Sequence, residues 1–445
     1  MKTRSVFVCQ ECGYRSLKWL GKCPSCGAWG ALVEEIERTD RSEKPLTAAL
    51  QPVQLESLEQ APVERLRTGI EEFDRVMGGG IVPGSVIVIG GDPGVGKSTL
   101  MLQLCARLSE RCPLYVTGEE SLEQLRYRAD RLGIERRGIA VLAEQAVEDV
   151  VATIEASQPG VVVVDSIQTL YGRESESLPG SIGQVRYCAA QLVQIAKRTG
   201  IPMLLVGHVT KEGMLAGPKV LEHMVDVVVQ FEGEGNYAYR ILRAIKNRYG
   251  STNEIGVFEM SEHGLIEVRN PSALFLSDRS TPAAGTAVAA VAEGSRALLV
   301  EIQSLVMQSG YGVSQRVTTG FDYKRLQMLL AVLERRLDLD FLHSDVFVNV
   351  AGGFVVRDPG ADVSVCAALV GALRNRAIQE RVVAIGEVGL TGELRQVAAM
   401  DIRLNEAAKL GFEAAVVPAS LSIAGVGIEL RPATHLSEAL GLLGL

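Results

Sequence analysis

The residues with the clearest chemical purpose lie in GGDPGVGKSTLMLQL, where Gly91, Asp92, Pro93, Gly94, Val95, Gly96, Lys97, Ser98 and Thr99 separate an apolar run, SVIVIG, from a helical apolar pattern. Glycines allow main-chain N–H groups to close around a β-phosphate at a helix N-terminus. Lys97 then reaches the β- and γ-oxygens, and Ser98 ligates Mg²⁺. ATP and Mg²⁺ are the expected cofactors. A chance glycine-rich turn does not account for a strand and a helix in register on either side.

Further acids and bases stand at the ends of other apolar runs. VVVVDSIQTL ends a strand at Asp165, which can hold Mg²⁺ through water beside Ser98, the Walker B role. LYVTGEESLEQ places Glu119 and Glu120 at another strand end. One of them polarises the attacking water, with Glu119 favoured; the alternative is an acid complementing a helix dipole. PMLLVGHVTKEG ends at His208, positioned to sense a γ-phosphate, although a lone strand-end histidine also serves purely structural ends. Downstream, AIKNRYGSTNEIG sets Lys246 and Arg248 in a hairpin, where a basic turn paired with Glu232 or Glu234 is the plainer explanation.

A second chemistry opens the chain. CQECGYRSLKWLGKCPSCGAWG carries Cys9, Cys12, Cys23 and Cys26 as two Cys-x-x-Cys pairs, each followed by glycine, which is the donor set of a closed, structural Zn²⁺ site. Redox dithiols are the competing explanation. Trp19 and Trp29 are expected to fill the small core of this module. Cys105, Cys112, Cys188 and Cys366 are scattered, as buried apolar cysteines are.

The elements that must position these residues follow from pattern. With 445 residues, 47% hydrophobic and 22% charged, the chain is globular and long enough for two or three domains. A net charge of −8 argues against a uniformly basic nucleic-acid binder, yet Lys2, Arg4, Arg15, Lys18 and Lys22 face only Glu11 before Glu34. No apolar run is long enough to span a bilayer and the N-terminus lacks a signal-peptide pattern, so a cytoplasmic protein without a membrane partner is expected.

Composition shifts give a four-cysteine zinc ribbon-like module over 1–33, a charged linker over 34–62, an α/β domain over 63–270, a second linker over 271–285 and a final domain over 286–445. In the α/β domain, SVIVIG, LYVTG, VVVVD, PMLLVGH and VDVVVQF alternate with helical segments. That pattern predicts a mostly parallel sheet, with YAYRILRAIKN and EIGVFEM added as a hairpin. The last block reads as α+β, with helices around Tyr323–Leu337, Asp362–Arg374 and Arg403–Leu410.

GGDPGVGKST, VVVVDS, GEES and KNRYG together resemble the RadA/Sms family of bacterial DNA-repair ATPases, over nearly the whole chain and in the family's order; KNRYG has Tyr249 where the family signature has Phe. The resemblance implies a RecA-like P-loop core in a homo-hexamer, with Lys246 and Arg248 reaching either a neighbour's ATP site or the DNA. It also implies single-stranded and branched DNA held by YGRESESLPGSIGQVR and TKEGMLAGPKVLEH, where Arg186, Lys211 and Lys219 meet phosphates. The implied activity is DNA-dependent ATP hydrolysis in recombinational repair, driving branch migration or unwinding beside the RecA recombinase.

The family's last domain is similar to the proteolytic domain of Lon. By pattern, VNVAGGFVVRDPGADVSVCAAL puts Gly360 at the nucleophilic serine, just before Ala361, and GELRQVAAMDIRLNEAAKLGF puts Asp401 near the lysine. Ser364 lies four residues on and reads as an ordinary helix residue. A scaffold without peptidase activity is expected. The competing functions are an ATP-dependent protease of the Lon type and a RecA-fold signalling ATPase that binds no DNA.

Overall fold

The computed structural model describes residues 3–9, 11, 14–38, 64–174, 181–207, 221–233, 239–276, 283–310, 314–423 and 425–445. Cys12, His208, Lys211, Lys219 and Glu234 lie outside the described residues, as do most of the 34–62 stretch and much of both predicted DNA loops. The chain divides into two compact units, Met1–Glu267 and Val268–Leu445.

At the start of the first unit, β1 (Thr3–Cys9), β2 (Arg15–Ser16) and β3 (Leu32–Arg38) form an antiparallel sheet in the order β2-β1-β3. Its core is small. Cys9, Cys23 and Leu32 are buried, with Phe7, Leu20 and Ala31 packed against them. Trp19 and Trp29 are 59% and 78% exposed, contrary to the expectation that they fill this core. Val6, Val8, Cys9, Cys23 and Leu32 are the buried residues among those described in this module, and they close its core without either indole.

The rest of the unit is built on β4 (Val86–Gly91), β5 (Leu114–Thr117), β6 (Ala140–Ala143), β7 (Val162–Asp165), β8 (Met203–Val206), β9 (Val227–Glu232), β10 (Tyr239–Asn247), β11 (Ile255–Ser261) and β12 (Gly264–Glu267). These nine strands lie in the order β12-β11-β10-β9-β4-β8-β7-β5-β6. β4 to β9 run parallel to one another and β10 to β12 extend the sheet antiparallel from β9. β6 escapes the sequence pattern because it is an edge strand whose residues are mostly exposed, so it lacks the apolar run of its neighbours.

Among the described residues, the sheet is covered by α1 (Glu71–Val76), α2 (Lys97–Arg107), α3 (Leu122–Arg131), α4 (Val147–Ser157) and α5 (Ile182–Thr199). β4 is buried along its whole length. Its Ile87 and Ile89 face a core shared with Phe73, Leu100, Leu104 and Tyr115, while Val86 and Val88 face Val150, Ile154, Val185 and Leu192. Two buried faces explain why the strand reads as a continuous apolar run. α3 starts at a capping box in which Ser121 accepts from the Gln124 N–H and the Gln124 side chain accepts from the Ser121 N–H, so the turn holding Glu119 and Glu120 is sharply ended.

The second unit contains a seven-stranded mixed sheet, order β15-β16-β14-β13-β17-β20-β21. Its strands are β13 (Thr286–Glu293), β14 (Arg296–Gln308), β15 (Arg316–Thr319), β16 (Ser344–Val350), β17 (Val382–Ala384), β20 (Ala414–Pro418) and β21 (Glu429–Ala433), with β18 (Glu387–Val388) and β19 (Leu394–Arg395) forming a separate small ladder. The helices Tyr323–Leu337 and Asp362–Arg374 match the apolar periodicity residue for residue, and the third runs Met400–Lys409, entering three residues earlier than its pattern suggested.

Candidate functional site

The phosphate loop joins the carboxyl end of β4 to α2. Gly91 (φ +152°) lies so close to the neighbouring strand that a Cβ would stand 2.5 Å from the Phe231 carbonyl oxygen, and a Cβ on Gly96 (φ +113°) would stand 2.7 Å from Met260 Cε. Only glycine fits either place. No side chain caps α2, so the first-turn N–H groups of the helix are left to whatever the loop binds. Lys97 is buried and its ammonium donates to the carbonyls of Gly91 (2.7 Å) and Asp92 (2.8 Å). Burial lowers its pKa, and the nearby charges of Asp165, Asp92 and Glu119 oppose that shift.

Three strand ends converge beside Lys97. Asp165, buried at the end of β7, accepts a 2.5 Å hydrogen bond from the hydroxyl of Tyr115 on the adjacent β5. Glu119, past the end of β5, accepts from Ser166 Oγ at 2.5 Å, which ties it to the residue after Asp165. Glu120 differs. Its carboxylate is ion-paired with Arg128 in the second turn of α3, and its carbonyl accepts from Thr117 Oγ1. Burial raises the Glu120 pKa while Arg128 works against that rise. The fold thus brings Lys97, Asp165 and Glu119 together and commits Glu120 elsewhere. Tyr115 was missed by motif reading; its signal was a hydroxyl inside a fully buried strand, where an unpaired polar group is costly.

Lys246 and Arg248 occupy a different place. In the sheet Lys246 is level with Val228, whereas Phe231 is level with Gly91 at the loop end. Lys246 is therefore three residues, about 10 Å, back toward the amino ends of the parallel strands. Its ammonium turns further away, donating to the carbonyls of Glu222 and, at 2.8 Å, Val225. Arg248, more than half exposed, lies 3.6 Å from Asp226. The expected pairing with Glu232 is not formed; Glu232 lies 3.6 Å from Arg243 instead, because β10 runs back along β9 and carries Arg248 past its start. The stretch is anchored by Arg65, which donates to the Tyr249 carbonyl at 2.6 Å, and by close approach of Gly250 to Gly78.

Among the cysteines, the sulfurs of Cys9, Cys23 and Cys26 lie within 4.8 Å of one another, with Cys9 and Cys26 at 3.7 Å. Thiolates around a tetrahedral zinc, with Zn–S of about 2.3 Å, stand about 3.8 Å apart, so the cluster has the spacing the metal needs. Cys105, Cys188 and Cys366 are buried, whereas Cys112 is exposed, against the expectation for it.

In the second unit, Gly360 and Ala361 are buried and Asp401 is exposed in the first turn of its helix. The room beside Gly360 belongs to Arg403: a Cβ on Gly360 would be 2.7 Å from Arg403 Nη1. Arg403 is 2% exposed, pairs with Asp358 at 2.5 Å and donates to the Ala290 carbonyl. Ser364 Oγ hydrogen-bonds the carbonyls of Val288 and Ala384, both at 2.8 Å, which leaves its proton engaged and its oxygen enclosed.

A model of the AAA domain matches residues 51–214, one of the rubredoxin metal binding domain matches 7–34, and one of the Lon protease (S16) C-terminal proteolytic domain matches 328–423. The DNA repair protein RadA of Halalkalibacterium halodurans is 49% identical over 426 residues, covering 94% of this chain and 93% of that one. The protein of the same name from Bacillus subtilis is 47% identical over 451 residues, with 99% and 98% covered. Among solved structures, a KaiC-like protein of Pyrococcus horikoshii is 21% identical and covers 46% of this chain and 100% of that chain, at a TM-score of 0.39. ATP with Mg²⁺ suits the phosphate loop, and Zn²⁺ suits the cysteines. Among the described residues no helix is long and apolar enough to cross a membrane.

Proposed function

The chain belongs to the RadA family of DNA repair proteins, and on that premise we propose that it is a DNA-dependent ATPase that remodels branched recombination intermediates, by branch migration or unwinding along single-stranded DNA beside the RecA recombinase. The observation that carries the reading is the convergence of Lys97, Asp165 and Glu119 at adjoining strand ends above an uncapped helix. Lys97 and the loop N–H groups hold the phosphates. Ser98 and Asp165 would hold Mg²⁺, which would supply positive charge to offset that of the transferring phosphate. Glu119, oriented by Ser166, takes the proton of the attacking water, while Glu120 keeps the turn closed through Arg128.

Lys246 and Arg248 are too far along the sheet to serve the phosphate loop of their own subunit, which supports their supplying charge to a neighbour's ATP in a cytoplasmic homo-hexamer. His208 would sense the γ-phosphate. The Lon-like unit is a scaffold without peptidase activity, since Arg403 fills the ground beside Gly360. Turnover of ATP with and without oligo(dT), with Lys97→Ala as the inactive reference, tests the reading. Stimulation together with salt-sensitive DNA binding is expected. Turnover indifferent to DNA would instead fit a signalling ATPase, and cleavage of casein with ATP would fit a protease.

A further inference from the structure

The chain has two tryptophans, and both stand on one edge of the zinc module, exposed by 59% and 78%. A buried indole removes about 150–250 Å² from water, so a domain this small that leaves both outside forgoes its largest available apolar contribution. The two rings are also held near each other. A Cβ on Gly21 would lie 3.7 Å from Cη2 of Trp19 and 4.0 Å from Cζ3 of Trp29, so both indoles border one open glycine. Backbone pairing keeps them there: Lys22 and Trp29 form a bridge, and the Gly30 N–H donates to the Gly21 carbonyl at 2.8 Å.

Cations flank the pair. Lys22 Nζ stands 5.6 Å from the centroid of the Trp29 ring, and Lys18 is exposed next to Trp19, with no acidic partner for either among the described residues. Protein interfaces deplete lysine from their aromatic centres, whereas single-stranded nucleic acid uses both parts: a ring on which a base stacks and an ammonium for the adjoining phosphate.

We propose that Trp19 and Trp29, with Lys18 and Lys22, form a stacking platform for the bases of single-stranded DNA, separate from the loops of the ATPase core. The proposal rests on the DNA-binding reading above. The platform is independent of sequence, because every base presents a π-face.

The test uses the full-length, zinc-loaded protein, whose tryptophan emission comes from these two residues alone. Unlabelled oligo(dT) should quench that emission with the same midpoint as anisotropy of an end-labelled oligo(dT). Trp19→Ala and Trp29→Ala should each weaken binding by about fivefold to a hundredfold while zinc content is unchanged, and Trp29→Phe should restore most of it. Lys18→Ala or Lys22→Ala should reduce the slope of log affinity against log salt by about one. If oligo(dT) binds by anisotropy but leaves emission and the affinities of the Trp variants unchanged, the platform is overturned, the DNA reading stands, and the surface belongs to another class of partner such as a protein. If the unaltered chain binds no oligo(dT), both fall. Should the alanine variants shed zinc, quenching of the unaltered protein decides alone.

Discussion

Tyr115 donates its phenolic hydrogen to Oδ2 of Asp165 at 2.5 Å, from a ring that is 1% exposed. The two residues lie on adjacent parallel strands two positions out of register, so the side chain reaches along β5 toward the strand end. Burial, then the charge of Asp165, raises the phenol's pKa well above its ordinary value, and the hydroxyl remains a donor. One carboxylate oxygen is thereby held in place. Tyr115→Phe keeps the ring volume and removes only this bond. The expected outcome is a rise of up to about tenfold in the Mg²⁺ concentration giving half-maximal turnover, in line with about 1.5 kcal/mol for a hydrogen bond to a charged group. Mg²⁺ titrations of ATPase rate check it; an unchanged Mg²⁺ requirement would show that the bond is structural only.

The neighbouring glutamates separate by their partners. Glu119→Gln is expected to lower turnover by about 10² to 10⁴ while ATP still binds, as loss of a general base does. Glu120→Gln removes half of a part-exposed ion pair with Arg128, worth about 0.2–1 kcal/mol, and should change turnover by less than about tenfold. Single-turnover hydrolysis with a separate nucleotide-binding assay distinguishes the two; equal losses would reverse the assignment.

Supply of Lys246 and Arg248 across a subunit boundary predicts complementation. Neither Lys246→Ala nor Arg248→Ala should turn over ATP well alone, although each folds and binds it, and mixing either with Lys97→Ala should restore part of the activity. Rates measured over a series of mixing ratios decide. Failure at every ratio removes the main support for the arrangement.

Arg403→Met strands Asp358 without its partner, and loss of one member of a buried pair costs about 3–5 kcal/mol. The second unit should therefore melt earlier in calorimetry of the whole protein. Gly360→Ser should also destabilise it, because the new Cβ meets Arg403 Nη1, and it should not produce casein cleavage. Cleavage by that single variant would show the site to be vacant and not filled.

Local pattern carried much of what the fold displays. The glycines and lysine of the phosphate loop, the apolar runs of β4, β5, β7, β8 and β9, and the helix Asp362–Arg374 were legible because each rests on spacing within ten or twenty residues. The four cysteines declared a metal for the same reason: ligand type and spacing are covalent facts. What stayed hidden depended on which strands become neighbours. The order β4-β8-β7-β5 decides that Tyr115 touches Asp165 and that Glu119 meets Ser166, and the reversal of β10 along β9 places Lys246 and Arg248 at the far end of the sheet from Lys97. The small size of the module likewise assigned Trp19 and Trp29 to its core, and only the tertiary structure leaves them exposed, with Val6, Val8, Cys9, Cys23 and Leu32 buried instead. Sequence determined which chemical groups the protein owns and the elements that bear them; tertiary structure decided which groups meet, because that depends on contacts between residues far apart in the chain.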